Sequence, residues 1–325
     1  MSRSVRWVVA LTVGCLVLVT GCGGHGSAGG VDRLRIMVPN VAGGGYDVTA
    51  RTAVSIAERS GLADDRVSVF NLAGSQGMVA LSRLLDESGN GHLAMMMGLG
   101  VVGATITTGS THRVTDGTPI ARLLQEPEAV LVPEDSPLRD VEDLVRSWGA
   151  DPARLRVGGG SAVGGPDHLM TMQLAREIGI DPRAVRYGTF DGGGALLPAL
   201  LDGRIDVAVS SQVEYAEQIR SGQLRVLAVS GPQRVPWVDA PTLTEAGIDV
   251  LFTNWRGLIA PPGISDADRD RLVRLFHDLE QTPEWRQALA ENGWTAAFLA
   301  GDDFADFLQS EDARVRDSLA ELGLA

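Results

Sequence analysis

Three stretches place reactive residue types at spacings that could do chemistry, and each lies in a glycine-rich turn. In "VAGGGYD", Val41 to Asp47, three consecutive glycines lead into a helical pattern. Glycine lets the backbone approach a ligand closely, and a helix start offers unpaired N–H groups to an anion. "AGSQG", Ala73 to Gly77, falls one residue short of a G-x-S-x-G nucleophile elbow, which would make Ser75 the nucleophile. "GLGVVG", with Gly98, Gly100 and Gly103, has the dinucleotide-binding spacing and follows an apolar run.

Two of these readings run short of supporting residues. A serine nucleophile needs a histidine base and an orienting acid. The body offers His92, His112, His168 and His277, and no pairing among them is readable. Ser75 reads better as the opening of a helix from Gln76 to Asp86. "GLGVVG" stands in the third strand–helix unit instead of the first, "ATITTGSTH" after it is a poor helix, and the ribose-binding acid would have to be Glu126. His168 follows Asp167, but no H-x-x-x-H or H-E-x-x-H spacing occurs, so no metal is expected and His168 reads as a structural residue. His112 and His277 read as surface positions.

All 28 basic residues are arginine. Without lysine there is no Walker-type P-loop, Schiff-base chemistry or Ser-Lys hydrolase, because arginine cannot imitate the amine. What remains is a set of helix starts, each worth ~0.3–1 kcal/mol toward an anion at exposed ends. Several of them converging can hold a small carboxylate, whereas polyphosphate asks for more cation than the turns carry. Asp47 fits this set awkwardly: it reads as N-cap of a helix from Val48 to Arg59, or as a group holding a water or a ligand ammonium.

The elements that must position these turns are short apolar runs alternating with helical patterns, which argues for parallel sheets covered by helices. Strands are expected at Leu34 to Val38, Val67 to Phe70, Leu93 to Met97, Leu155 to Gly158, Ala184 to Tyr187, Ile205 to Val209 and Leu224 to Val229. In such sheets ligands bind beyond the carboxyl ends of the strands, where the glycine turns lie. Two groups of turns, separated by the irregular "LLQEPEAVLVPEDSP", suggest two α/β lobes facing each other across a cleft. The tail reads as helical, with Ser265 and Asp268 spaced as a capping box and Trp285, Trp294 and Phe298 as core.

The chain has 325 residues, enough for two domains, and 44% apolar with 21% charged residues is ordinary for a globular protein. A net charge of −13 argues against nucleic acid, whose affinity comes from neutralised phosphates. Arg3 and Arg6, the apolar run from Trp7 to Val19 and then "VTGC" read as an export signal in residues 1–21. Val19 to Cys22 resemble a bacterial lipobox, with Cys22 as the lipidated residue; an ordinary signal peptide cut near Gly26 or Ala28 is the alternative. Cys15 leaves with the signal, so no disulfide is expected, and "GGHGSAGG" within residues 22–31 reads as a flexible tether.

From about Leu34 onward the chain resembles the receptors of tripartite tricarboxylate transporters, the Bug receptors. "VAGGGYD" is similar to their "PGGGTD" loop, with Gly43, Gly44, Gly45 and Asp47 aligned; "GGSAVGGPDHL" is similar to "GSxGxGSxxHL" at Gly164, His168 and Leu169. "LLDGRIDVAV", "GQLRVLAVSGPQRVPWVDAPTLTEAGI" and "WRGLIAPPG" continue the match in order. The resemblance implies an α/β fold of the two-lobed, flytrap-like periplasmic-binding-protein type II kind. Residues 32–125 with 253–325 would form one lobe and residues 126–252 the other, each a mostly parallel sheet flanked by helices.

Together with the lipobox, the resemblance implies a lipid-anchored, extracytoplasmic receptor, for which no catalytic residues, cofactor or metal are expected. It would deliver a small carboxylate to large and small integral membrane subunits. Ligand-binding residues are expected at Gly44, Gly45, Tyr46, Asp47, Ser75 and Gly98 on one side, and at Ser161, Ala162, Gly164, Phe190, Gly192 and Ser210 on the other. Tyr46 in place of a common threonine, and Ser210 in place of a common aspartate, lead us to expect a pocket less polar than a citrate site and a ligand with an apolar or aromatic body. An exported α/β enzyme using "GLGVVG" or Ser75, and a receptor signalling to a sensor kinase, are the competing readings.

Overall fold

The computed structural model describes residues 33–63 and 66–324. The expected signal segment, Cys22 and the tether lie outside the described residues. The chain runs β1 (Arg35–Val38), α1 (Gly45–Arg59), β2 (Ser68–Asn71), α2 (Met78–Asp86), β3 (Leu93–Gly98), α3 (Leu99–Thr107), β4 (Thr118–Pro133), α4 (Val141–Ala150), β5 (Arg156–Gly159), α5 (Pro166–Glu177), β6 (Arg186–Thr189) and α6 (Gly193–Leu201). There follow β7 (Val207–Ser211), α7 (Ala216–Arg220), β8 (Leu224–Val229), β9 (Thr253–Ala260), α8 (Asp266–Gln281), α9 (Pro283–Asn292), β10 (Thr295–Ala300) and α10 (Gly301–Glu321). Among the described residues no helix is long and apolar enough to cross a membrane.

The strands expected from the alternating pattern are present, and β1 runs parallel to both β2 and β3, as β5 does to β6 and β7. The long strand β4 joins the two parallel groups. Its first part, Thr118 to Pro127, pairs antiparallel with β9, and Gln125 to Ala121 also pair with β10. From Glu128 onward it pairs instead with β7 and β8. The handover falls at Pro127, which has no N–H to give to a ladder.

Three expectations change. "LLQEPEAVLVPEDSP" is mostly strand, although Glu126, Pro127, Glu128 and Pro133 within the strand are poor strand formers. It is buried because the acids are placed in a polar crevice between apolar flanks, a tertiary reason that local propensity does not carry. "ATITTGSTH" contributes to α3, whose Val101, Val102, Ala104 and Ile106 are all buried; burial of an apolar helix overrides the threonines. The tail is not all helix, since Thr295–Ala300 adds β10 to the edge of β4. The capping expectation at α8 is met: Ser265 Oγ accepts the Asp268 N–H at 3.1 Å.

The cores lie between sheet and helices. α1 buries Ala50, Ala53, Val54, Ile56 and Ala57 against β1, β3 and the first part of β4. Trp285 and Trp294 pack together there, their rings 6.3 Å apart. The β7–β8 end of β4 is covered by Leu196, Ala199 and Leu200 of α6.

Candidate functional site

The loops after β1, β2, β3, β5, β6 and β7 open onto one cleft of about 430 Å³. That is within the usual range for a small-molecule pocket, and it lies beyond the carboxyl ends of the parallel strands, as their topology demands. Of the residues expected at the site, Gly45, Tyr46, Ser75, Ser161, Ala162, Phe190, Gly192 and Ser210 line it. Gly44, Asp47, Gly98 and Gly164 do not.

The reasons for those four are local. Gly44 is the residue before α1, and a Cβ on it would lie 2.3 Å from the Asn40 amide nitrogen. Asp47 is inside α1, not its N-cap, and points away from the cleft: it accepts the Gly43 N–H at 2.9 Å, Arg51 Nε at 2.9 Å and Asn71 Nδ2 at 2.9 Å. Burial works against its charge, but these donors prevail and hold the carboxyl below its ordinary value. At Gly98 a Cβ would meet the Trp255 carbonyl at 2.3 Å, and at Gly164 the Thr107 methyl at 2.8 Å.

"GLGVVG" is explained by the same packing. Added Cβ atoms at Gly100 and Gly103 would lie 2.9 Å from the Tyr46 hydroxyl and 2.0 Å from the Gly164 carbonyl. The glycines admit neighbouring parts of the chain, and no cofactor is needed to account for them. Tyr46 stands over the start of α3; burial, outweighing Arg256 and the Val101 and Gly100 amides, pushes its hydroxyl up to about 12. Ser75 and Gln76 both take left-handed backbone, with φ of 47° and 60°, between Gly74 and Gly77. The helix expected from Gln76 therefore begins at Met78 after a one-turn corner. No histidine is among the residues lining the cleft, which leaves Ser75 without the base a nucleophile needs. His168 sits 5% exposed in α5, takes the Gly164 N–H at Nδ1 and is pushed down to about 4 by burial, a neutral structural ring.

The buried charged residues of the cleft were not anticipated. Glu128, Asp167, Glu214 and Arg256 line it together with the exposed Asp191 and the neutral Asn254, so it is more acidic than expected. Arg256 on β9 is ion-paired to Glu126 on β4, donates to the Gly45 carbonyl and reaches Thr49 Oγ1 at 2.8 Å. Glu126 also accepts from Ser211 Oγ at 2.8 Å, Trp294 Nε1 at 3.0 Å and Asn254 Nδ2 at 3.4 Å. Both ends of this pair are buried, and its hydrogen-bonding capacity is nearly filled.

Several helix-start amides already hold acids of the chain itself. Glu214 accepts the Gly45 N–H at 3.1 Å with one oxygen and the Gly193 N–H at 3.0 Å with the other, so its carboxylate links the starts of α1 and α6. Burial, opposed by Arg256 and reinforced by Asp167 and Glu126, raises Glu214 to about 7. Asp167 accepts from Gly160 N at 2.7 Å and Ser161 N at 3.2 Å; burial outweighs these bonds and raises it too. The signal for these acids in the sequence was their position: Glu126 and Glu128 alternate with apolar residues, which puts both on one face of a buried strand.

A cleft at the carboxyl ends of two parallel strand groups, bridged by long antiparallel strands, defines the periplasmic-binding-protein architecture. MatC of Rhodopseudomonas palustris with bound malate superposes with a TM-score of 0.77 at 23% identity, over 88% of this chain and 98% of that one. An adipate-bound R. palustris protein gives 0.81 at 22% identity, over 90% and 97%. Among curated proteins, BugT of Bordetella pertussis is 24% identical, over 89% of both chains.

The family itself is given by residues 54–324, which match the model described as "Tripartite tricarboxylate transporter family receptor". The chain belongs to this family. It is an extracytoplasmic solute-binding receptor, and the family is one of receptors, not enzymes.

Proposed function

We propose that the protein is a lipid-anchored receptor, through Cys22, that captures a small carboxylate and hands it to large and small integral membrane subunits. The observation that carries this reading is the cleft itself, where backbone corners from both strand groups face one enclosed volume. Residues 32–125 with 253–325, and residues 126–252, are the two lobes in this reading, meeting at the Pro127 handover in β4. A ligand touching both stabilises the closed arrangement by its differential affinity. The left-handed Ser75–Gln76 corner and the Ala162 amide, next to the Ser161 amide that Asp167 takes, supply N–H groups for the carboxylate, and Tyr46 and Phe190 form the walls for its body.

The malate and adipate of two structural neighbours support a ligand in the size range of short diacids. The test is native mass spectrometry of freshly purified protein, followed by thermal shift with single acids. A retained small acid, or stabilisation by short mono- or dicarboxylates, is expected. A panel of such acids that leaves the melting temperature unmoved refutes the reading.

A further inference from the structure

We propose that the ligand of this cleft carries a protonated nitrogen beside its carboxylate, and that Glu128 is the residue that seats it, with Glu214 adjacent. The inference rests on the carboxylate-receptor reading and adds the second half of the ligand. Glu128 is 1% exposed and lines the cleft, yet neither of its carboxyl oxygens has a hydrogen-bond partner. Asp191 also lines the cleft but is exposed to solvent, and the other buried acids of the site are answered: Asp167 by two amides, Glu214 by two amides, and Glu126 by Arg256 and three further donors. Buried carboxyl groups without donors are costly, and the missing donors are what an ammonium brings, with three N–H groups on a compact charge.

The charge count points the same way. Arg256 is the one cationic side chain lining the cleft, and it is committed to Glu126, to the Gly45 carbonyl and to Thr49. Glu128, Asp167 and Glu214 therefore face the ligand without a counter-charge. A diacid would add to this repulsion, whereas a zwitterion would relieve it.

Glu128 projects from β4 where that strand changes partners, with Glu126 on its own strand, Ser210 and Ser211 on β7, Glu214 beyond β7, Asp167 on α5 and Arg256 on β9. Its proton affinity is raised first by burial, then by Asp167 and Glu126, with Arg256 opposing and Glu214 adding; Tyr187 and Tyr215 feel its charge in turn. In the empty cleft the ionised form of Glu128 is thus disfavoured. A ligand ammonium favours the ionised form, so its binding releases a proton and tightens as pH rises. A bare diacid would bind the protonated form better and loosen as pH rises.

The experiment is calorimetric titration of the full chain with matched pairs: succinate and aspartate, then glutarate and 5-aminopentanoate. The amine-bearing member is expected to bind at least about tenfold tighter, 1.4 kcal/mol, and to gain on its partner between pH 6 and pH 8. Glu128→Gln, which is isosteric and removes a buried charge, is expected to close most of that gap. Diacids that bind as well as or better than their amine partners overturn the proposal while leaving the carboxylate reading standing, and so does a preference that survives in Glu128→Gln. If no member of either pair binds the wild type, the carboxylate reading fails and this inference fails with it.

Discussion

Replacing Glu126 with glutamine is the sharpest test of how the cleft is held. The wild-type carboxylate faces Arg256 and Asn254 with one oxygen and Ser211 and Trp294 with the other, at 0% exposure, against an Arg256 that is 3% exposed. Glutamine can present its carbonyl to only one of these sets. Toward Arg256, it leaves the indole N–H of Trp294 facing an NH2 group; toward Trp294, it leaves the guanidinium facing donors. In both cases a buried cation loses its counter-charge, for which breaking a buried pair costs about 3–5 kcal/mol. At ~2 °C per kcal/mol for a body of this size, the melting temperature should fall by about 6–10 °C. Urea unfolding followed by far-UV circular dichroism should show the same loss as a lower midpoint with an unchanged slope. In an Arg256→Met background the cost of Glu126→Gln should shrink by ~2 kcal/mol, since the cation is already gone. A single-variant loss below ~1 kcal/mol, or additivity within ~0.5 kcal/mol, refutes the assignment of this pair as the brace between β4 and β9.

Two further outcomes follow from the same geometry. Glu214 is raised to about 7 in the folded chain, so its contribution to stability is present below its unfolded value and is lost as pH rises through 7. Glu214→Gln should therefore gain ~3 kcal/mol on the wild type between pH 4 and pH 8, and parallel stability profiles would show that its burial is not felt. Gly103→Ala should cost ~1–3 kcal/mol, because the new methyl lies 2.0 Å from a backbone carbonyl, while Gly149→Ala, inside α4 with nothing within 4 Å, should be neutral or gain up to ~1 kcal/mol. Equal losses at the two glycines in thermal melts would remove the packing explanation of "GLGVVG".

How much of this was legible in the sequence depends on how local each determinant is. β1, β2, β3, β5, β6, β7 and β8 were visible as apolar runs followed by glycine- or serine-rich turns, since period and turn chemistry are properties of a few neighbouring residues. The convergence of the turns after them on one cleft follows from parallel topology, and eight of the twelve expected site residues line it. β4 was hidden because Glu126, Pro127 and Glu128 read as loop formers. Their acceptance inside a strand depends on Arg256, Trp294 and Ser211, which lie 130, 168 and 85 residues from Glu126 along the chain.

The acids show why turn glycines alone misdescribe this site. A helix start offers amides, but the sequence does not say whether a ligand or the chain itself will use them. Asp47 and Asp167 reach back to amides of the turns before their helices, and Glu214 to the start of α1, over separations of 4, 7 and 169 residues. The first two are close enough in sequence to be read as local caps; the third is not. With those amides taken, the buried acid of this cleft that has no donor of its own among the described residues is Glu128, and on the proposal above it is this acid, more than the glycine turns, that selects the ligand.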